Sequence, residues 1–211
     1  MGRPLERAGM DRYQEKLPPI YAAHHGYRLV MGGESGGVRI LSGGLGNLSA
    51  MLARFPSPDQ VSDFWWSDAY REAYVHRKNA GRFAAVGLPG LDRAADPIPG
   101  GHGYLLISSN PEKPSQWRKF ADAFIAALGD QGGTIMVDAG PEAVERLESL
   151  MPGSHFIVCQ FASMTGAEEA WAALSEEFSD LRAPCEPVNA IALDGLSDNH
   201  PWRLTEERVT A

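Results

Sequence analysis

The chain of 211 residues is long enough for one or two domains, and its 44% hydrophobic and 22% charged residues are ordinary for a globular protein. Its formal net charge of −8 argues against a nucleic-acid partner, because phosphate binding requires a concentrated basic surface. The sequence opens without a signal-peptide pattern and has no apolar run long enough to cross a bilayer, so we expect a cytoplasmic protein with no membrane partner.

The first part of the chain begins with a helical pattern and a short strand. Apolar residues recur at three- and four-residue steps from Met10 to His25, which predicts a helix that Pro18-Pro19 should kink or split. Tyr27 to Met31 has the pattern of a strand. Residues 32–46 contain seven glycines but lack the Gly-Lys-Ser/Thr and GxGxxG patterns. We therefore predict a glycine-rich hairpin there, with residues 49–55 as the returning strand.

One long capped helix is predicted from Ser57 to Gly81. Ser57 is a favourable N-cap, and proline and aspartate in the first turn suit a helix N-terminus. Two stripes run along this helix, an apolar one that should pack on a sheet and a second one that carries aromatic rings and a guanidinium. The apolar stripe consists of Val61, Phe64, Trp65 and Ala69, and the aromatic stripe consists of Trp66, Tyr70, Tyr74 and Arg77.

The rest of the chain repeats this order of elements. A strand over 83–88 closes the first unit, and residues 93–101 have the composition of a linker. The predicted strands of the second unit are 104–108, 134–137, 156–161 and 190–193, and its predicted helices are 115–131, 141–150 and 167–181. Residues 197–211 are polar and are predicted to form a tail.

An internal repeat supports this division. A constant offset of 106 residues relates Phe55, Ser57 and Trp65 to Phe161, Ser163 and Trp171. Each unit follows the β-α-β-β-α-β order of ferredoxin-like folds, which leaves one face of the sheet bare unless a second unit covers it. We therefore predict an α+β fold in which two tandem ferredoxin-like units, 1–92 and 102–196, pack sheet to sheet as a pseudo-twofold α/β barrel. The offset places the first strand of the first unit at the very start of the sequence, so we expect that strand to be missing.

Two segments, HHGYRLVMGG (24–33) and RFPSPDQVSDFWWSDAYREAYVHR (54–77), resemble the family called "domain of unknown function 1330", and the match is good over residues 11–91. The resemblance implies a place in the dimeric α/β-barrel superfamily, here as a tandem version within one chain. Met31 departs from the arginine that this family often has, and the second unit has Glu176 and Ala183 at the positions of Tyr70 and Arg77. The family has no established activity, so the resemblance implies a site in the first unit without naming a reaction. The residues that fall on the family's pattern are His24, Gly26, Gly32, Gly33, Phe55, Pro56, Ser57, Trp65, Ser67, Tyr70 and Arg77.

Two groups of residues are candidates for a functional site. His24 could act as a general base, since an imidazole titrates near neutrality, or it could simply be a histidine at the C-terminus of a helix. The aromatic stripe could bind a small organic acid, with Arg77 as its anchor, or it could pack between units or subunits. No spacing of histidines or of the two cysteines fits a metal site, so we expect no metal and no cofactor.

These candidates lead to three hypotheses about function. The first is a protein that binds a small organic molecule in a barrel pocket, either as a binding protein or as an enzyme that needs no cofactor, with His24 as base, Arg77 as anion anchor and Trp66 and Tyr70 as walls. The second is a non-catalytic oligomeric or interaction module, which could form a homodimer. The third is a barrel enzyme that uses haem or flavin, or one that resembles a monooxygenase.

Overall fold

The computed structural model describes residues 1–33, 36–46, 48–91, 101–148, 153–198 and 200, and it shows a mixed α+β fold. The predicted linker (93–101) and the predicted tail (197–211) lie mostly outside these residues. The strands are β1 (Gly2–Pro4), β2 (Tyr27–Gly32), β3 (Val38–Ser42), β4 (Ala50–Arg54), β5 (Gly81–Phe83), β6 (Ala85–Gly87), β7 (Gly103–Ser109), β8 (Thr134–Ala139), β9 (Glu145–Glu148), β10 (His155–Phe161) and β11 (Val188–Asp194). The helices are α1 (Arg7–Ala23), α2 (Pro58–Trp66), α3 (Asp68–Lys78), α4 (Pro114–Ala127), α5 (Met164–Glu177) and α6 (Ser179–Arg182).

The first half of the chain, residues 1–91, does contain a first strand, so the prediction that it is missing is wrong. β1 pairs antiparallel with β5, and Gly2 exchanges backbone hydrogen bonds with Ser49 beside β4. β4 in turn pairs antiparallel with β2. The strand is only three residues long, and so short an extended segment leaves no apolar alternation in the sequence to reveal it.

The second half, residues 101–198, supplies four of the five strands of the largest sheet, β11, β7, β10 and β8. The strands of this sheet have the order β3-β11-β7-β10-β8, and all neighbours are antiparallel. The helices α4 and α5 of the second half cover one face of this sheet with a closely packed apolar core. The fully buried members of that core include Trp117, Phe120, Phe124, Leu174 and Cys159.

The two halves exchange strands. β3 belongs to the first half but pairs with β11 of the second, and β9 belongs to the second half but pairs with β6 of the first. The predicted hairpin over 32–46 forms only as an isolated antiparallel bridge between Gly33 and Gly36, and β4 returns to pair with β2 as predicted. The prediction is wrong for β3, because its ladder partner β11 lies about 150 residues further along the chain. The predicted helix over 141–150 is wrong too, because its described residues, 141–148, form turns and then β9. In both cases strand pairing between the two halves outweighs the structure that the local sequence pattern favours.

The long helix predicted from Ser57 is divided into α2 and α3 at Ser67. Ser67 has an extended backbone, its hydroxyl donates to the Phe64 carbonyl at 2.8 Å, and the same oxygen accepts from the Tyr70 N–H at 3.1 Å. Ser67 therefore ends one helix and begins the next. By contrast, α1 continues through Pro18 and Pro19 without the split that was predicted there. Buried residues on both sides of the prolines hold it against the neighbouring elements.

Among the residues that the structure describes, the buried apolar side chains form three clusters. One lies between the helices and the sheet of the second half, and another lies between the strands of the two halves, where Val30, Tyr104, Val158 and Ile191 meet. The third lies under α1, α2 and α3 and is largely aromatic. This third cluster contains the buried hydroxyls of Tyr13 and Tyr70, and it borders the cavity described next.

Candidate functional site

A cavity of about 1160 Å³ opens in the first half of the chain, beneath α1, α2 and α3. Strands of the second half close its far side. The aromatic residues on its wall include Tyr13, Tyr21, Phe64, Trp65, Tyr70 and Phe83. The wall from the second half includes Leu106, Met136, Val137, Leu147, Val158 and Gln160. A concave and mostly apolar space of this size with a few polar groups is typical of a small-molecule site.

A series of linked polar side chains lies on one side of this cavity. The hydroxyls of Tyr13 and Tyr70 lie 3.1 Å apart, and Arg77 Nη1 donates to the Tyr70 hydroxyl at 3.5 Å. Arg77 Nη2 forms an ion pair with Glu148 Oε2 at 2.5 Å, and the Tyr74 hydroxyl donates to Glu148 Oε1 at 3.0 Å. We call these five residues the polar cluster. Four of them come from α1 and α3, whereas Glu148 comes from the exchanged strand β9.

Aromatic rings surround the Arg77 guanidinium. Its carbon lies 4.4 Å from the centre of the Phe83 ring and 5.8 Å from that of Trp65. Trp65 in turn packs against Tyr70, with ring centres 4.8 Å apart. A cation held over ring faces is stabilised by their quadrupoles, and this fixes the guanidinium in one position. The ion pair with Glu148 means that Arg77 already has an anionic partner within the protein.

The phenols near the cavity are protonated at neutral pH. Burial raises the pKa of Tyr13 and Tyr70 above the ordinary value of 10, and it raises the pKa of Tyr21 to about 12. Arg28 lies close by, at the edge of this group. Its Nη1 donates to Gln14 Oε1 at 2.7 Å, and its guanidinium carbon lies 5.1 Å from the centre of the Tyr21 ring.

The candidate residues predicted from the sequence do not all meet. Tyr70 and Arg77 line the cavity. Tyr74 is not part of the cavity wall, but its hydroxyl donates a hydrogen bond to Glu148, the ion-pair partner of Arg77. Trp66 is 54% exposed and contacts the Arg71 side chain, because the break at Ser67 turns it away from the other members of its stripe. His24 caps the end of α1 and packs its ring edge-on against Phe64, outside the cavity wall.

Several residues of the site were not singled out by the sequence. Tyr13 could have been found, since it lies on the apolar face of α1 and its hydroxyl would need a partner when buried. Trp65 was assigned to packing alone, although it also lines the cavity. Glu148 gave no signal, because its partner Arg77 is 71 residues away and β9 was predicted as a helix.

In the part of the chain that the structure describes, no group of three or more His, Cys, Asp or Glu side chains could hold a metal ion. No helix there is long and apolar enough to span a membrane. Both cysteines are buried thiols, and burial raises the pKa of each. These thiols are therefore protonated and unreactive at neutral pH.

Comparisons with known proteins found one family model and a similar solved structure. No curated protein matches the chain. Among solved structures, it resembles the crystal structure of a "putative monooxygenase" from Lactobacillus acidophilus NCFM, with 11% sequence identity and a TM-score of 0.45 over 91% of this chain and 90% of that one. The resemblance drawn from the sequence motifs is confirmed, because residues 4–91, which carry the cavity-lining helices, match the family model described as "Domain of unknown function (DUF1330)".

Proposed function

We propose that this protein binds a small organic molecule in the cavity of its first half. The observation that carries the proposal is the contrast between the two halves. The space between helices and sheet in the second half is filled by side chains such as Trp117, Phe120 and Phe124, all buried. In the first half the corresponding space is an open cavity with a polar cluster on its wall. The site that we propose therefore lies in the first half.

We further infer that the halves are two ferredoxin-like units, 1–92 and 102–196, packed as a pseudo-twofold α/β barrel and joined by the 93–101 linker. The exchanged strands support this inference. The offset of 106 residues places β3 on β9 and β6 on β11, and these strands form the two exchanged pairs β3–β11 and β6–β9. A pseudo-twofold axis would relate one pair to the other. Glu148, on β9, is then a charged group that the second unit adds to the site of the first, beside the apolar residues that it places on the cavity wall.

The ligand site that we propose consists of Trp65, Tyr13, Tyr70 and Arg77. The rings supply apolar walls, and Arg77 supplies a fixed charge whose position depends on Glu148. This revises the roles expected from the sequence, because His24 and Trp66 lie outside the wall of the cavity. Arg77 acts in this proposal through its hydrogen bond to the Tyr70 hydroxyl, since Glu148 already offsets its charge.

Native mass spectrometry of the purified protein, compared with the denatured mass, tests the proposal, together with a fluorescence screen of small aromatic compounds. Trp65→Phe and Trp171→Phe form a matched pair, because the two tryptophans occupy equivalent positions at the 106-residue offset and only Trp65 lines the cavity. We expect Trp65→Phe to weaken binding of any retained or screened ligand and Trp171→Phe to leave it unchanged.

Equal effects of the two substitutions would contradict the proposed site. A protein that retains nothing, binds no compound of the screen and changes mass with concentration would contradict ligand binding altogether. That result would favour an oligomeric interaction module.

A further inference from the structure

The paired hydroxyls of Tyr13 and Tyr70 are the most informative polar groups on the cavity wall. The two residues are 3% and 2% exposed, and both line the cavity. They come from different helices, α1 and α3, and meet because these helices pack against each other. The pair is thus held in place by the fold, on the wall of the space that a ligand would occupy.

A count of hydrogens shows what this pair can offer. Two phenols carry two O–H hydrogens, and the bond between them uses one. The further hydrogen bond that the structure gives to the pair comes from Arg77 Nη1, and a guanidinium can only donate. Among the described residues, no acceptor therefore takes the second hydrogen of the pair.

The second hydrogen remains in place at neutral pH. Burial raises the pKa of both tyrosines, so neither loses its proton. The hydrogen bond from Arg77 also polarises the Tyr70 hydroxyl, and a polarised hydroxyl donates a stronger hydrogen bond to its own acceptor. The Tyr13–Tyr70 pair is thus a hydrogen-bond donor on the wall of a mostly apolar cavity, and a ligand oxygen placed beside it would accept that hydrogen bond.

We infer that the ligand of this cavity carries a carbonyl or carboxylate oxygen, which accepts the remaining O–H hydrogen of the Tyr13–Tyr70 pair while the apolar part of the ligand packs against Trp65. This inference rests on the proposed function and adds the class of ligand to it. A neutral carbonyl and a carboxylate share the chemistry that the pair recognises, so the probes must separate them.

Acetophenone, benzoate and ethylbenzene are suitable probes, because they share a phenyl ring and differ in the acceptor oxygen. Dissociation constants would be measured by titration calorimetry. One net hydrogen bond predicts that acetophenone binds about threefold to tenfold more tightly than ethylbenzene. If benzoate binds more tightly than acetophenone, the natural ligand is a carboxylate, and if it binds more weakly, the ligand is a neutral carbonyl compound.

The double substitution Tyr13→Phe/Tyr70→Phe removes both hydroxyls and should abolish the preference for acetophenone, so that the ratio of the two dissociation constants reaches one or reverses in favour of ethylbenzene. Tyr27→Phe is the control, because Tyr27 lies on β2 and does not line the cavity. It should keep the ratio of the unmodified protein. An equal affinity for the two probes in the unmodified protein, or a ratio that the double substitution leaves unchanged, would overturn this inference but not the proposed function. Failure of all three probes to bind would count against both.

A second measurement covers the case in which the double variant does not fold. The carbonyl of ¹³C-labelled acetophenone, bound to the unmodified protein, should resonate downfield of its position in an apolar solvent, because a hydrogen bond withdraws electrons from the carbonyl carbon. A bound resonance at the apolar-solvent position would overturn the inference.

Discussion

Removing the charge of Glu148 tests whether the exchanged strand β9 supports the site. The Glu148 and Arg77 side chains are 14% and 8% exposed, so the pair is largely withdrawn from water. Glu148→Gln leaves the buried guanidinium without its counter-charge, and breaking a buried pair in this way costs about 3–5 kcal/mol. We expect about 3 kcal/mol, at the lower end, because the glutamine oxygen can still accept one hydrogen bond from Arg77.

The free energy of unfolding would be measured in urea by tryptophan fluorescence. With a urea dependence of about 3 kcal/mol per molar, the midpoint should fall by about 1 M. Glu168→Gln is the matched control, since Glu168 also joins the two halves, through Arg39, but Arg39 is 61% exposed. An exposed pair of this kind contributes about 1 kcal/mol or less.

A double-mutant cycle isolates the interaction. Arg77→Met combined with Glu148→Gln removes both charges, so the double variant should be clearly more stable than the sum of the single effects predicts, by about 2 kcal/mol. The reasoning would be refuted if Glu148→Gln were no more destabilising than Glu168→Gln, or if the two single effects simply added.

Three further predictions follow from burial. Cys159 and Cys185 should not react with a thiol reagent such as DTNB in the native protein but should both react in urea, because burial raises the pKa of each thiol; reaction of the native protein would contradict their placement. Burial lowers the pKa of His155, so the stability that the neutral side chain contributes is present above pH 6.5 and is lost as the pH falls below that value. His155→Gln should therefore make the free energy of unfolding depend less on pH between pH 7.5 and 5. An unchanged pH dependence would argue against this role of His155. Phe120→Ala should cost about 3–5 kcal/mol in urea unfolding, whereas Trp66→Ala should stay within about 0.5 kcal/mol, since the first side chain is fully buried and the second is mostly exposed.

The elements with strong local signals were predicted well. Ser57 and Ser163 cap helices as expected, each through a hydroxyl that accepts a backbone N–H three residues on. The strands and helices of the second half, apart from β9, also lie close to their predicted positions. These signals depend on residues that are neighbours along the chain, so the sequence is sufficient to detect them.

The errors share a physical cause. β3 and β9 were assigned by their local patterns, yet their partners lie in the other half of the chain. The break at Ser67 depends on a serine whose side chain can cap in both directions, and it separates Trp66 from Tyr70. The aromatic stripe was predicted on one continuous helix. Its members Tyr70, Tyr74 and Arg77 share α3, whereas Trp66 belongs to α2.

The sequence by itself determined the α+β composition, the internal offset of 106 residues and the resemblance of the first half to its family, because periodicity, capping and motif residues are local properties of the chain. The tertiary structure alone decided the site. It brought Tyr13, Tyr70 and Arg77 from separate turns and helices to one wall, and it supplied Glu148 from a strand that crosses between the halves. The reason is that a buried hydroxyl or charge is satisfied by whichever group the packing of helices and strands places within hydrogen-bond distance, and separation along the chain does not reveal that group.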